Sequence, residues 1–342
     1  MDIDVFPRHE LGTVFAVLRT ALRPSGPLGL AERRFLQTYA RITDYPLVPA
    51  NPPPIAPHEV RIEGAHQRKR LTQLAAMAAL LSRPLKADSV AFVRALSRRL
   101  ATHDSVVDVL DALLRGHRSR VRMLAVRRGF RVMIKEAHRS EGAAGVLRFF
   151  TAMLLKAPVN RDKLWNYKRL GLLPEGTLGR EYWKHMVREG FGFPGEPAGI
   201  PDAVAYHDIA HVLAGHEATP LGEIQQGSFQ GGNRREDGFA FVQFVLLQFH
   251  HGVRITPGTA AQVDHFDPEL VLWAIQRGAK CNVDMTHQWD YWPLMSLTLE
   301  QARAKCGLLP KLPAASRWPT PGQTRSEGRC EPGLGLGARI AR

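Results

Sequence analysis

Two histidines, an aspartate and a glutamate fall close together in one part of this 342-residue chain. The segment reads Pro201-Asp-Ala-Val-Ala-Tyr-His207-Asp208-Ile-Ala-His211-Val-Leu-Ala-Gly215, and Glu223 follows after Pro220-Leu-Gly222. Pro201-Asp202 supplies a helix start and Gly215 a stop, which predicts about three turns. On a wheel of about 100° per residue with His207 at zero, His211 falls at about 40° and Asp208 at about 100°. All three share an arc that borders the apolar stripe of Ala205, Ile209, Val212 and Leu213. A solvated polar face would lie opposite that stripe. Two histidines four apart on a helix can place ring nitrogens on one metal, as in the HExxH metalloproteases. Here the acid directly follows the first histidine, so the metalloprotease motif, whose general base is a Glu, is not present. The turns at Gly215 and Pro220 put Glu223 at the start of the next helix, from which it can fold back. His207, Asp208, His211 and Glu223 are therefore the candidate metal ligands. Two imidazoles and two carboxylates suit zinc, with manganese or iron as alternatives.

Two other readings compete. A His-x3-His pair on an apolar helix is also a common way to half-bury two satisfied imidazoles. The adjacent Asp208 and the following Glu223 weigh against it, because burying them unpaired is costly. An HD dyad of the phosphohydrolase type would need an upstream His and a downstream Asp, and His185 with Asp264 or Asp284 could be recruited. His216 and Glu217 are expected to face solvent on the turn.

The spacing His207-Asp208-x2-His211-x11-Glu223 resembles the HDxxH-x11-E signature of the coenzyme Q (ubiquinone) biosynthesis protein four family. Upstream, Leu172-Leu-Pro-Glu-Gly-Thr-Leu-Gly-Arg-Glu-Tyr182 is similar to that family's LPEGTLGREY element, and Leu221-Gly222-Glu223 and Leu299-Glu-Gln-Ala-Arg303 also match in order. The resemblance covers about residues 160–310. It implies an all-helical domain with a zinc-type site and an apolar groove for a polyprenyl chain. It also implies a role in quinone biosynthesis: oxidative decarboxylation at C1 of a prenylated aromatic acid, or organisation of the pathway's other proteins. In the first role the metal would act as a Lewis acid on the ring's carboxylate or phenolate. A non-catalytic lipid-binding scaffold is the alternative. The stretch Phe239–Phe249 is apolar nearly all round and must be buried or line an apolar cavity. Phe241 and Phe244 are its candidate substrate-binding residues, whereas Trp289, Tyr291 and Trp292 read as packing and interface residues. After Glu223 the chain departs from the family, continuing polar and glycine-rich through Gly231-Gly-Asn233.

The elements that must position these residues read as helices throughout, so the fold class is all-α with two helical domains. Residues 1–157 form a basic helical domain, 158–310 the metal-binding domain, and 311–342 a glycine-rich tail expected to be disordered. Apolar residues at three-to-four spacing mark Ala31–Ile42, Val60–Leu81, Ser89–Leu100, Ser105–Leu114 and Val121–Ala137. Asp267-Pro268-Glu269 starts a helix that Gly278 should stop, and Thr298-Leu-Glu-Gln301 has capping-box spacing before Gly307. The first half is distantly similar to TerB-type helical tellurite-resistance domains, through its helix lengths and the Leu30–Leu36 opening.

The net charge of +14 invites a nucleic-acid partner until it is located. Residues 1–157 carry 26 Lys/Arg against 13 Asp/Glu (+13), residues 158–310 carry 14 against 17 (−3), and residues 311–342 carry 6 against 2 (+4). Arg115–Arg139 alone holds nine basic residues and one acid. No zinc finger, helix-turn-helix or aromatic platform accompanies this surplus, so nucleic acid is an unlikely partner and an anionic membrane surface a better one. Three scattered cysteines and no visible signal peptide fit the cytoplasm, with the protein peripheral on the inner membrane. The partners expected are a prenylated quinone precursor or other lipid and other quinone-pathway proteins.

Overall fold

The computed structural model describes residues 1–46, 51–129, 161–196, 202–256, 259–287 and 289–311, with only the backbone described at 202–204. All regular structure among them is helical, apart from two isolated β-bridges. The first half holds α1 (Arg8–Leu22), α2 (Leu30–Ile42), α3 (Ala65–Leu80), α4 (Ala87–Arg99), α5 (Val106–Leu114) and α6 (118–129). The second holds α7 (Arg161–Arg169), α8 (Leu178–Glu189), α9 (Asp202–Ala214), α10 (Pro220–Asn233), α11 (Phe239–Phe249), α12 (Pro268–Lys280) and α13 (Leu299–Lys305). The boundary at 157/158, residues 130–139 of the basic stretch and the tail after Lys311 lie outside the described residues.

Local chemistry sets the helix ends near the site. Asp267 caps α12 by accepting from the amides of Glu269 and Leu270 at 2.9 and 3.2 Å, with Pro268 at the first position. Thr219 caps α10 by accepting from the Gly222 amide at 3.1 Å, again followed by a proline. Gly215 ends α9 at φ +70°, a left-handed conformation that an L side chain adopts only with strain. Gly278 does not end α12, contrary to expectation. It lies inside the helix where α12 crosses α10, and a methyl there would overlap the Phe229 carbonyl. Gly232 makes the reciprocal approach to the Ile275 carbonyl. The polar, glycine-rich run after Glu223 is thus a buried helix whose missing side chains let two backbones touch.

The two halves of the chain share one core. Leu18, Phe35, Tyr39, Leu74 and Leu96 belong to the same apolar cluster as Ile224, Val242, Leu246, Leu272 and Ile275. Across the halves, Arg41 pairs with Glu269 at 2.5 Å, Arg83 with Asp264 at 2.7 Å, and Arg128 with Asp237 at 2.5 Å. Part of the basic surplus of the first half is therefore matched by acids of the second. A separate cluster, which includes Tyr167, Tyr182, Ile209, Leu213, Phe229, Met285 and Tyr291, packs beneath the candidate site. Here the segment 172–182 meets the segment that leads into α13. The amides of Leu178 and Gly179 at the start of α8 donate to the carbonyls of Leu297 and Met295 at 2.8 and 2.9 Å, just before α13.

Candidate metal centre

Helix α9 presents His207 and His211 one turn apart, and the cap at Thr219 starts α10 so that Glu223 sits in its first turn and faces them. The Nε2 atoms of the two imidazoles are 3.0 Å apart. Glu223 Oε2 lies 3.4 Å from His207 Nε2, and Oε1 lies 3.5 Å from His211 Nε2. Each of the three residues offers one donor atom within 4.8 Å of the others, and the group is buried or nearly so. A tetrahedral ion with bonds of about 2.0–2.1 Å needs donor separations of about 3.3 Å, which these contacts approach.

The other ring nitrogens decide the tautomers. His207 Nδ1 lies 2.8 Å from Gln230 Oε1 and His211 Nδ1 lies 3.1 Å from the His216 carbonyl, so both Nδ1–H groups donate to an oxygen. Both Nε2 lone pairs are thereby turned towards Glu223, the arrangement that outer partners of metal-bound histidines enforce. Three lone-pair donors this close repel one another unless a cation lies among them. A proton fills that role without metal. Burial alone would lower the His207 pKa, but the hydrogen bond and charge of Glu223 outweigh it and hold it at about 9. Burial would likewise raise Glu223, but the charges of His211 and His207 hold its carboxyl well below the usual range.

Of the four expected ligands, the structure brings three together. Asp208 is not in the group whose donor atoms converge. It is buried, its Oδ2 has no hydrogen-bond partner, and burial pushes its pKa up to about 6 against the pull of His207 and His211. The wheel already offset it from His207 by about 100°, and no neighbouring donor claims the oxygen.

His185, considered above only as a phosphohydrolase residue, is also at the site. Its ring stacks on His211 at 5.9 Å between centroids and 18° between planes, and its Nε2 is buried without a partner. Burial lowers its pKa to about 3, helped by the charges of His211 and Arg188. The acids that the two-metal reading required are engaged elsewhere. Asp264 forms a two-point pair with Arg83, and Asp284 accepts from the Arg235 amide and from Thr286. His216 does not face solvent. It is buried, with Nδ1 2.9 Å from Gln226 Oε1 and Nε2 3.3 Å from Arg277, whereas Glu217 is exposed as expected.

No protein-family model and no curated protein matches this chain. The Arg234 guanidinium sits 5.5 Å from the Phe241 ring, and Phe244 packs against the core shared with the first half. Trp289 and Tyr291 are buried packing residues, and Trp292 is 41% exposed. Among the described residues, no helix is long and apolar enough to cross a membrane. Gln226, Gln230 and His216 went unrecognised in the sequence because glutamines on a glycine-rich helix carry no local signal of burial. Their roles depend on how α10 meets α9.

Proposed function

We propose that this chain is a metal-dependent protein of the coenzyme Q biosynthesis type. It acts on a prenylated aromatic acid at a membrane surface, exchanging the C1 carboxylate for a hydroxyl. The observation that carries this reading is the convergence of His207, His211 and Glu223, with both imidazoles locked as metal-ligand tautomers. These three residues would hold the ion, and the buried Asp208, whose Oδ2 has no partner, follows His207 directly in the chain without joining the group. A metal held there supplies Lewis-acid stabilisation of a carboxylate or phenolate. His185, with its free Nε2 beside His211, is the donor available to the anionic group of a bound ring.

Two histidines and one carboxylate form the donor set of catalytic zinc sites and of non-haem iron oxygenases, both of which keep open positions. Exchange of carboxylate for hydroxyl is a two-electron oxidation with dioxygen or another oxidant as co-reactant, so iron stands beside zinc as the metal to test. Three protein donors also favour a catalytic site over a closed structural one, and so favour the enzyme over the lipid-binding scaffold. The surplus of cations in residues 1–157 that is not absorbed by ion pairs would hold the protein near anionic lipid.

Elemental and mass-spectrometric analysis of the purified protein is expected to find one equivalent of metal and a bound prenyl lipid. His207→Ala and Glu223→Ala are expected to lose the metal. Stoichiometric metal in the His207→Ala protein would remove the assignment. A deletion strain is expected to lose quinone and accumulate a carboxylated precursor, and an unchanged quinone profile would refute the pathway.

A further inference from the structure

Helix α7 and the turn that follows it carry two large apolar side chains on their solvent side. Trp165 is 62% exposed, and Leu172, in the 3-10 turn Leu170–Leu172, is 83% exposed. Counting about 100° per α-helical residue and about 120° per residue of the turn, Leu172 falls within about 40° of Trp165 and roughly 12 Å along the axis. The opposite side holds Tyr167 and Leu170, both buried in the apolar cluster beneath the candidate metal centre. That packing fixes the direction in which the exposed pair faces. Gly171 adds to it, lying so close to Trp183 of α8 that a methyl would overlap the indole. Single exposed apolar side chains are ordinary on a protein surface, but two large ones on one side of a nine-residue helix and its last turn make a patch.

Arginines frame this pair. On the same wheel Arg161 and Arg169 lie within about 40° of Trp165, one to either side. Both are exposed, and neither pairs with a carboxylate among the described residues. Lys168 is paired with Glu196 at 3.1 Å, and Asp162, at about 60°, is the one acid of the helix. Apolar side chains between arginines suit the boundary between lipid headgroups and acyl chains: the indole and the leucine enter it, and the guanidiniums reach phosphates. A second copy of the chain fits less well. Two side chains expose at most a few hundred Å², whereas a stable protein interface buries about 1,200–2,000 Å². We propose that the outward side of α7, led by Trp165 and Leu172, is the surface by which the protein docks on an anionic phospholipid bilayer. Docking by this face rests on the membrane location proposed above and adds the residues that make the contact. The turn runs on into α8, which carries His185, so the docking surface and that helix belong to one packed unit.

The test mixes the full chain with vesicles of phosphatidylcholine containing phosphatidylglycerol, or of phosphatidylcholine alone, and reads sedimentation. Wild-type protein is expected to bind the anionic vesicles more tightly, with brominated acyl chains quenching its indole fluorescence. Trp165→Ser/Leu172→Ser is expected to partition at least about tenfold more weakly. Trp165→Phe is expected to keep binding and lose most of the quenching. Arg161→Gln/Arg169→Gln is expected to weaken binding to the anionic vesicles about tenfold or more. All four side chains are exposed, so the variants should fold, which circular dichroism checks. Wild-type binding that the double serine variant leaves unchanged overturns this face and leaves the membrane location standing. No binding of wild type to either vesicle overturns both. A wild-type dimer that the double serine variant abolishes assigns the patch to a second copy and likewise overturns the proposal.

Discussion

His207 and Glu223 hold a proton between them when no metal is bound, and a metal must displace it. With the His207 pKa at about 9, binding at neutral pH is expected to release about one proton, and affinity to fall about tenfold per pH unit below that value. Calorimetry in buffers of different ionisation enthalpy measures this directly, and pH-independent affinity between pH 6 and 8 (a span of about two units) would contradict it. The outer residues matter next. Gln230→Ala removes the acceptor of His207 Nδ1–H and is expected to weaken metal binding by about 10–100-fold while the fold survives. Asp208→Asn separates the ligand sets: unchanged metal affinity supports three donors, and a loss like that of Glu223→Gln shows that the carboxylate rotates in.

The site depends on how tightly α10 is held between α9, α11 and α12. Gly227 and Gly231 lie against Val245 and Val242 of α11, and Gly232 against the backbone of α12. Such close approach leaves no room for Cβ atoms, so the helix trades intrinsic propensity for backbone contact. Gly232→Ala is expected to destabilise by about 1–3 kcal/mol or more in a urea melt, because the obstruction is backbone and cannot rotate away. It should also loosen metal binding, since Glu223 and Gln230 ride on the same helix. Full metal affinity in a destabilised Gly232→Ala protein would show that the site is held by α9 and the first turn of α10 alone.

At the level of the whole molecule, the two halves are tied by a common core and by buried polar contacts. Arg128 bridges Asp104 at 2.7 Å and Asp237 at 2.5 Å, and the cation holds the Asp104 pKa low against burial. Arg128→Met strands the buried Asp104 and is expected to cost about 3–5 kcal/mol. A fragment of residues 158–311 is expected not to fold alone, since it would expose the face that α2 and α3 cover. A dispersed amide NMR spectrum from that fragment would show otherwise. The halves are also joined where His251 and His250 of the second meet the carbonyls of Leu80 and Leu81 at 2.9 and 3.3 Å. Burial lowers both pKa values from 6.5 to about 4. The unfolded rings therefore take up protons that the folded rings refuse. Stability is full above about pH 6.5 and falls towards about pH 4, by up to about 1.4 kcal/mol per ring per pH unit. The double variant His250→Gln/His251→Gln is expected to flatten this limb in thermal melts.

The all-helical class, the stop at Gly215, the caps at Thr298 and Asp267, and the pairing of His207 with His211 were legible in the sequence, because each depends on neighbours within about a turn. The convergence of Glu223 was legible as well, since two turn-breakers bring it back over a short loop. The tertiary structure decided the rest. It left Asp208 outside the donor group, turned His216 inward and stacked His185 on His211. It also made Gly278 a crossing point rather than a terminus and placed acids of the second half on arginines of the first. All of these depend on contacts between segments far apart in the chain, where burial and charge pairing are properties of the assembled fold and leave no periodic trace in the sequence.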